Sequence, residues 1–122
     1  MKVLVTGGRH FSNFAAVVAA LDRIHSDTPI SLLIHGAATG ADTLAGGWAA
    51  RNKVSVVACP LDWNRYGGAA EPIRNQQVIE EHRPDLVVAF PGGKETANMV
   101  SLASEAGVRV LQVGFSKSTA PG

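Results

Sequence analysis

At 122 residues the chain has the length of one domain, enough to bury roughly two-thirds of its unfolded surface around one core. A formal charge of +1, with 17% charged residues and no basic stripe, argues against a nucleic-acid footprint, and no apolar run approaches the ~20 residues of a membrane span. The single cysteine, Cys59, excludes an intrachain disulfide and a cysteine-based zinc site, and is expected to be a small buried apolar residue.

The opening Met1-Lys2-Val3-Leu4-Val5 leads directly into a strand with no signal-peptide pattern, so a cytoplasmic location is expected. Five short apolar runs carry the β signal: Lys2 to Val5, Ile30 to Ile34, Val54 to Ala58, Leu86 to Phe90, and Val108 to Val113. They are mostly continuous rather than alternating, which fits strands covered on both faces. Phe14, Val17, Val18, Leu21 and Ile24 share a helical stripe after the first run, with Ser12 or Asn13 as N-cap. A second helix is expected from about Thr39 to Asn52, with Leu44 and Trp48 four residues apart. Trp48 belongs to the core or to a dimer surface.

Residues 60–70 form the one long irregular connection, with the aromatic and polar content of a lid or specificity loop. A third helix is expected from about Glu71, with Pro72 at its start and Ile73 and Ile79 on one side. The fourth carries Ala97, Val100, Ala103 and Ala106, and Gly107 ends it as a C′ residue. The small, polar stretch from Gly114 to Gly122 is expected to be a flexible tail, leaving 1–113 as the domain. This alternation predicts an α/β fold: a Rossmann-like, three-layer open parallel sheet of five strands in the order 3-2-1-4-5. Ligands of such sheets bind outside the carboxyl ends, where the strand order reverses between strands one and four.

Glycine-bearing turns fall at that reversal. Gly7 and Gly8 precede Arg9, whose planar guanidinium suits a phosphate. Pro91, Gly92, Gly93, Lys94 and Thr96 open the fourth helix, where free amides and the helix dipole favour an anion. A tight turn with no ligand is the plainer reading of the same residues. The turn His35-Gly36-Ala37-Ala38-Thr39-Gly40-Ala41-Asp42 lies beside them, with His35 at a strand end and Asp42 in the first turn of a helix. Arg74 and Asn75 follow the long loop and can reach a sugar or base, or else form a solvated helix face. Trp63 and Tyr66 either stack on a base or pin the loop down. His35, Asp42 and Asp62 lack metal-ligand spacing, so no metal is expected. The dinucleotide fingerprint Gly-x-Gly-x-x-Gly is absent, as is the P-loop pattern.

Together Thr6-Gly-Gly-Arg9, residues 35–42, Trp48, Asp62-Trp63, Pro72-Ile-Arg-Asn75 and Phe90-Pro-Gly-Gly93 resemble the YspA-like branch of the SLOG superfamily over about residues 1 to 113. The lonely-guy and DprA/Smf proteins are its relatives. The resemblance implies a Rossmann-like domain, dimeric or larger, that binds a nucleotide or nucleotide derivative and requires no other cofactor. The lonely-guy branch hydrolyses the N-glycosidic bond of nucleoside monophosphates with an Arg and a Glu, and its motif is Pro-Gly-Gly-x-Gly-Thr-x-x-Glu. Arg74 corresponds to that Arg, whereas Glu95 stands where the motif has its third Gly and Met99 where it has its Glu. The needed carboxylate would then come from Asp42, Glu95 or Asp62. A non-catalytic nucleotide sensor and a DNA-processing accessory protein are the other functions the resemblance allows.

Overall fold

The computed structural model describes residues 1–114; the remainder of the expected tail lies outside the described residues. Strands β1 (Lys2–Thr6), β2 (Leu32–His35), β3 (Ser55–Ala58), β4 (Leu86–Ala89) and β5 (Arg109–Gln112) form one parallel sheet in the order β3-β2-β1-β4-β5. Helices α1 (Phe14–Asp27) and α2 (Ala41–Arg51) cover one face, packing Val17, Leu21, Ala45 and Trp48 on Val3, Val5, Leu33 and Val88. On the other face α4 (Ala70–His82) and α5 (Lys94–Glu105) set Val78, Ile79, Met99 and Ala103 against Leu4, Ile34 and Val87. Each such aliphatic side chain contributes about 1.5–3 kcal/mol by leaving water. The order and the three layers are those the strand–helix alternation predicts.

Several local expectations change. Residues 60–70 are largely helical rather than irregular: α3 (Trp63–Tyr66) is followed by a 3-10 turn, Gly67–Ala69, that leads into α4. Asp62 starts α3 by accepting the Arg65 amide at 3.1 Å, a cap hidden in a segment too short to show periodicity. The buried stripe of α5 is Thr96, Met99 and Ala103, while Ala97 and Ala106 are exposed. Continuous apolar runs predict two-sided burial, which β4 achieves in full and the edge strands β3 and β5 do not. Cys59 is half-buried, and Trp48 is core. Asn13 caps α1, accepting the Ala16 amide at 3.0 Å, and Gly107 ends α5 at φ +78°.

At the reversal the loops after β1 and β4 touch. The Gly8 amide donates to the Pro91 carbonyl at 2.9 Å, and the Gly8 carbonyl accepts the Ala41 amide at 3.2 Å. A Cβ on Gly92 would stand 2.7 Å from the Gly8 nitrogen and 3.0 Å from the Gly7 carbonyl carbon, backbone that cannot swing aside. Gly47, exposed within α2, has no such neighbour within 4 Å. Gly92→Ala is therefore expected to destabilise the fold by about 1–3 kcal/mol. Gly47→Ala is expected to stabilise it by about 0.5–1 kcal/mol, both measured by urea denaturation.

Candidate functional site

Beyond the carboxyl ends of β1 and β2 the backbone turns away from the sheet, and the residues that follow β2 form a cradle of amides. The Asp42 carboxylate fills it from the first turn of α2. Its Oδ2 accepts the Gly36 amide at 2.9 Å and the Ala38 amide at 3.2 Å. Between them the Ala37 amide donates to His35 Nδ1 at 2.9 Å, with Ala37 held at φ +61°. Three consecutive donors that could grip an anion are thus met by the chain's own side chains.

Gly36 also admits Arg74. A Cβ there would lie 2.5 Å from Arg74 Nη1 and 3.0 Å from Asp42 Oδ2, so only glycine lets the guanidinium lie against the strand end. Arg74 Nη1 donates to the carbonyls of Gly36 at 3.0 Å and Cys59 at 2.9 Å, and Nε donates to Asn75 Oδ1 at 2.9 Å. Among the described residues no protein acceptor meets Nη2. Asn75, 1% exposed, passes the restraint on: its Nδ2 donates to Asn98 Oδ1 at 2.9 Å and to the Glu95 carbonyl at 3.4 Å. This chain of bonds ties α4 to the first turn of α5.

The arrangement borders two neighbouring spaces. An inner crevice of about 40 Å³, room for a few waters or a small polar group, is bordered by Gly7, His35, Asp42, Arg74, Asn75 and Glu95. Beside it lies an outer cleft of about 390 Å³ bordered by Pro60, Leu61 and Trp63. Arg9, Glu71 and Arg74 border both. Arg9 Nη2 and Glu71 Oε2 form an ion pair at 2.9 Å, joining the β1–α1 loop to the start of α4. Trp63 is 52% exposed at the outer wall, whereas Tyr66 lies elsewhere, 5.4 Å from the Arg65 guanidinium.

Of the residues singled out from sequence, Gly7, Arg9, His35, Gly36, Asp42, Arg74, Asn75 and Glu95 meet here. Gly8 and Gly40 are spent on loop-to-loop packing behind them. Gly92, Gly93 and Thr96 border a separate groove along α5, facing Ser101, Ser104 and Gln112. Lys94 lies by a shallow depression shared with Glu71 and Asn98, and Pro91 packs near Gly114. Asp62 borders neither space. Sequence reading missed Glu71 and Asn98; Glu71 was legible, since three residues before Arg74 on a helix puts it on the same side.

Burial sets the charges. Desolvation pushes the Asp42 carboxyl above its ordinary range, opposed by the Ala38 and Gly36 amides and by the charges of His35 and Arg74. It lowers His35, against the pull of Asp42. It also lowers Arg74, which nevertheless stays protonated. The bond from Ala37 requires a lone pair on Nδ1, which keeps His35 in its neutral, Nε2-protonated form. As pH falls below the ordinary 6.5, the unfolded chain takes the proton before the folded one. His35 therefore contributes stability above that value and loses it as pH falls through its depressed folded pKa. NMR titration should place His35 below 6.5. The slope of stability against pH over roughly pH 5–7 should flatten in His35→Asn, whose Oδ1 can still accept the Ala37 amide.

Comparison with known proteins agrees with this architecture. The family model described as "YspA, cpYpsA-related SLOG family" matches residues 1–66, from β1 through α3. The Gene 61 protein of Mycobacterium phage D29 is similar over most of the chain: 32% identical over 121 residues, covering 93% of this chain and 96% of the relative. With the five-stranded order, the match over more than half its length and a relative similar over most of it in agreement, the chain belongs to the YspA, cpYpsA-related SLOG family.

Proposed function

We propose that the paired clefts bind a nucleotide or nucleotide derivative, with an oxyanion or sugar oxygen on Arg74 and the base against Trp63. One observation carries this reading. Arg74 borders both the inner crevice and the outer cleft and is held by three hydrogen bonds through Nε and Nη1, while among the described residues no acceptor meets its Nη2. An arginine oriented before its ligand arrives loses little further freedom on binding. Membership in the SLOG family agrees with nucleotide-related function in general. The outer cleft suits the rest of the ligand: Trp63 offers an exposed indole face, and stacking on a base contributes about 1–3 kcal/mol. Arg9 stands opposite as a second, exchangeable donor.

Hydrolysis of the N-glycosidic bond is the reaction favoured by the two inner carboxyls, Asp42 and Glu95. Burial keeps a proton on Asp42 to higher pH than usual, which suits an acid protonating a departing base. Glu95 would stabilise the oxocarbenium-like sugar while water adds at its anomeric carbon and passes its proton to the Asp42 carboxylate, restoring the acid. Met99, at the place of the relatives' glutamate, is 3% exposed and belongs to the core, so the lonely-guy carboxylate has no direct substitute at that position. A sensor would bind without turnover.

A thermal-shift screen of nucleoside mono-, di- and cyclic phosphates should raise Tm, and product analysis of each hit separates enzyme from sensor. Arg9→Gln should weaken binding by about 1.5–3 kcal/mol, since a charged hydrogen bond is lost while the fold is spared. Asp42→Asn keeps both amide bonds, because one oxygen accepts them, and should lower hydrolysis by about 100-fold or more with binding retained. No stabilisation by any nucleotide would end the binding reading.

A further inference from the structure

The cleft holds as much negative charge as positive. Two arginines border it, and Glu71 and Glu95 already match them before Asp42 is counted. The two glutamates do different things. Glu95 contributes charge, and among the described residues no basic side chain bonds to it. Glu71 takes Arg9 in an ion pair at 2.9 Å from a position that borders both spaces. Its side chain is 22% exposed and that of Arg9 53%, so the pair sits at the mouth, where a ligand must either pass it or break it.

Resting on the nucleotide reading, we propose that Glu71 is the specificity-determining residue of this cleft: by holding Arg9 and repelling added phosphoryl groups, it restricts the ligand to one carrying a single phosphate group or fewer. A di- or triphosphate would set its outer phosphates beside Glu71 and would have to compete for Arg9. Among the described residues no lysine or third arginine borders either space to offset them. A sugar diol or one phosphoryl group is met by Arg74 with Arg9 as its one exchangeable second donor, and places no further charge beside Glu71. The restriction is one of charge rather than size, because the outer cleft has room for more than a mononucleotide's phosphate.

The ion pair is at the surface and contributes little to stability, so Glu71→Gln should fold normally. Binding of AMP, ADP and ATP, and separately of orthophosphate, pyrophosphate and tripolyphosphate, would be measured in metal-free buffer by calorimetry on both proteins. Trp63 fluorescence supplies a second readout, because Trp48, the other tryptophan, is 1% exposed. The native protein should bind AMP at least as tightly as ATP, and orthophosphate at least as tightly as tripolyphosphate. Glu71→Gln should shift both ratios by about tenfold toward the more highly charged ligand. Affinity that climbs from AMP to ATP in the native protein, or ratios unmoved by Glu71→Gln, would overturn the proposal and leave nucleotide binding standing. Binding of the inorganic series in the expected order, with no nucleotide bound, would support the charge restriction and overturn the nucleotide reading. Failure of every ligand to bind would overturn both.

Discussion

The acceptance of two amides by Asp42 fixes the backbone from which the rest of the site is built. With Oδ2 on the Gly36 and Ala38 nitrogens, the chain leaving β2 cannot relax into an ordinary strand-to-helix turn. Ala37 is driven to a positive φ, a conformation that costs a non-glycine residue of order 1 kcal/mol. That turn aims the Gly36 carbonyl at Arg74, and Gly36 without a Cβ lets the guanidinium come close. Arg74 then holds the Cys59 carbonyl at the end of β3, and through Asn75 the start of α5. A buried carboxyl is costly unless its oxygens are met, and here two amides meet Oδ2 while the charge of Arg74 favours the ionised form.

This internal carboxyl, filling the amide cradle from within, changes the meaning of the glycines. Glycine-rich turns at the carboxyl ends of parallel strands suggest amides waiting for a phosphate. In this chain the closest approaches are between one piece of backbone and another: Gly8 bonds Pro91, and Gly92 lies against Gly7 and Gly8. The turns after β1 and β4 interlock. The side chains that project past them, rather than the turns themselves, border the cleft. Sequence alone does not separate these cases, because both need a missing Cβ at the same positions.

The sheet order was legible because strand–helix alternation and right-handed crossovers leave few topologies for five short apolar runs. The order pointed to the carboxyl ends of the strands, but the candidate cleft lies beyond β1 and β2, and the glycine turn after β4 borders a separate groove. Arg9, Asp42 and Arg74 could be named from charge type at strand ends and helix starts. Which donors are already used could not, since the bonds of Asp42 to Gly36 and of Arg74 to Cys59 depend on a backbone path that no residue pattern encodes. The helix α3 escaped for a different reason: four residues span one turn, too few for a periodic signal, and only the capping oxygen of Asp62 marks it. The stripe on α5 was misplaced because alanines recur on several sides of that helix. Burial is settled by Met99, which joins Leu4 and Val87 in one core cluster while Val100 stays partly exposed.

The two arginines illustrate how one chemistry serves two tasks when burial differs. Arg74 is tied by Nε and Nη1 to atoms that do not move, so its remaining edge points one way whether or not a ligand is there. Arg9 has a single glutamate partner at the surface, where such pairs contribute no more than about 1 kcal/mol and exchange readily. A ligand that takes Arg9 leaves the Glu71 carboxylate unpaired beside it, whereas it cannot take Arg74 from Gly36 and Cys59 without opening the ends of β2 and β3. In the proposed reading the fixed arginine would orient the ligand, and the exchangeable one with its partner would set the charge that the cleft tolerates. Exchanging their environments would lose both properties: a mobile Arg74 would bind without register, and a rigid Arg9 would make the mouth a fixed positive site.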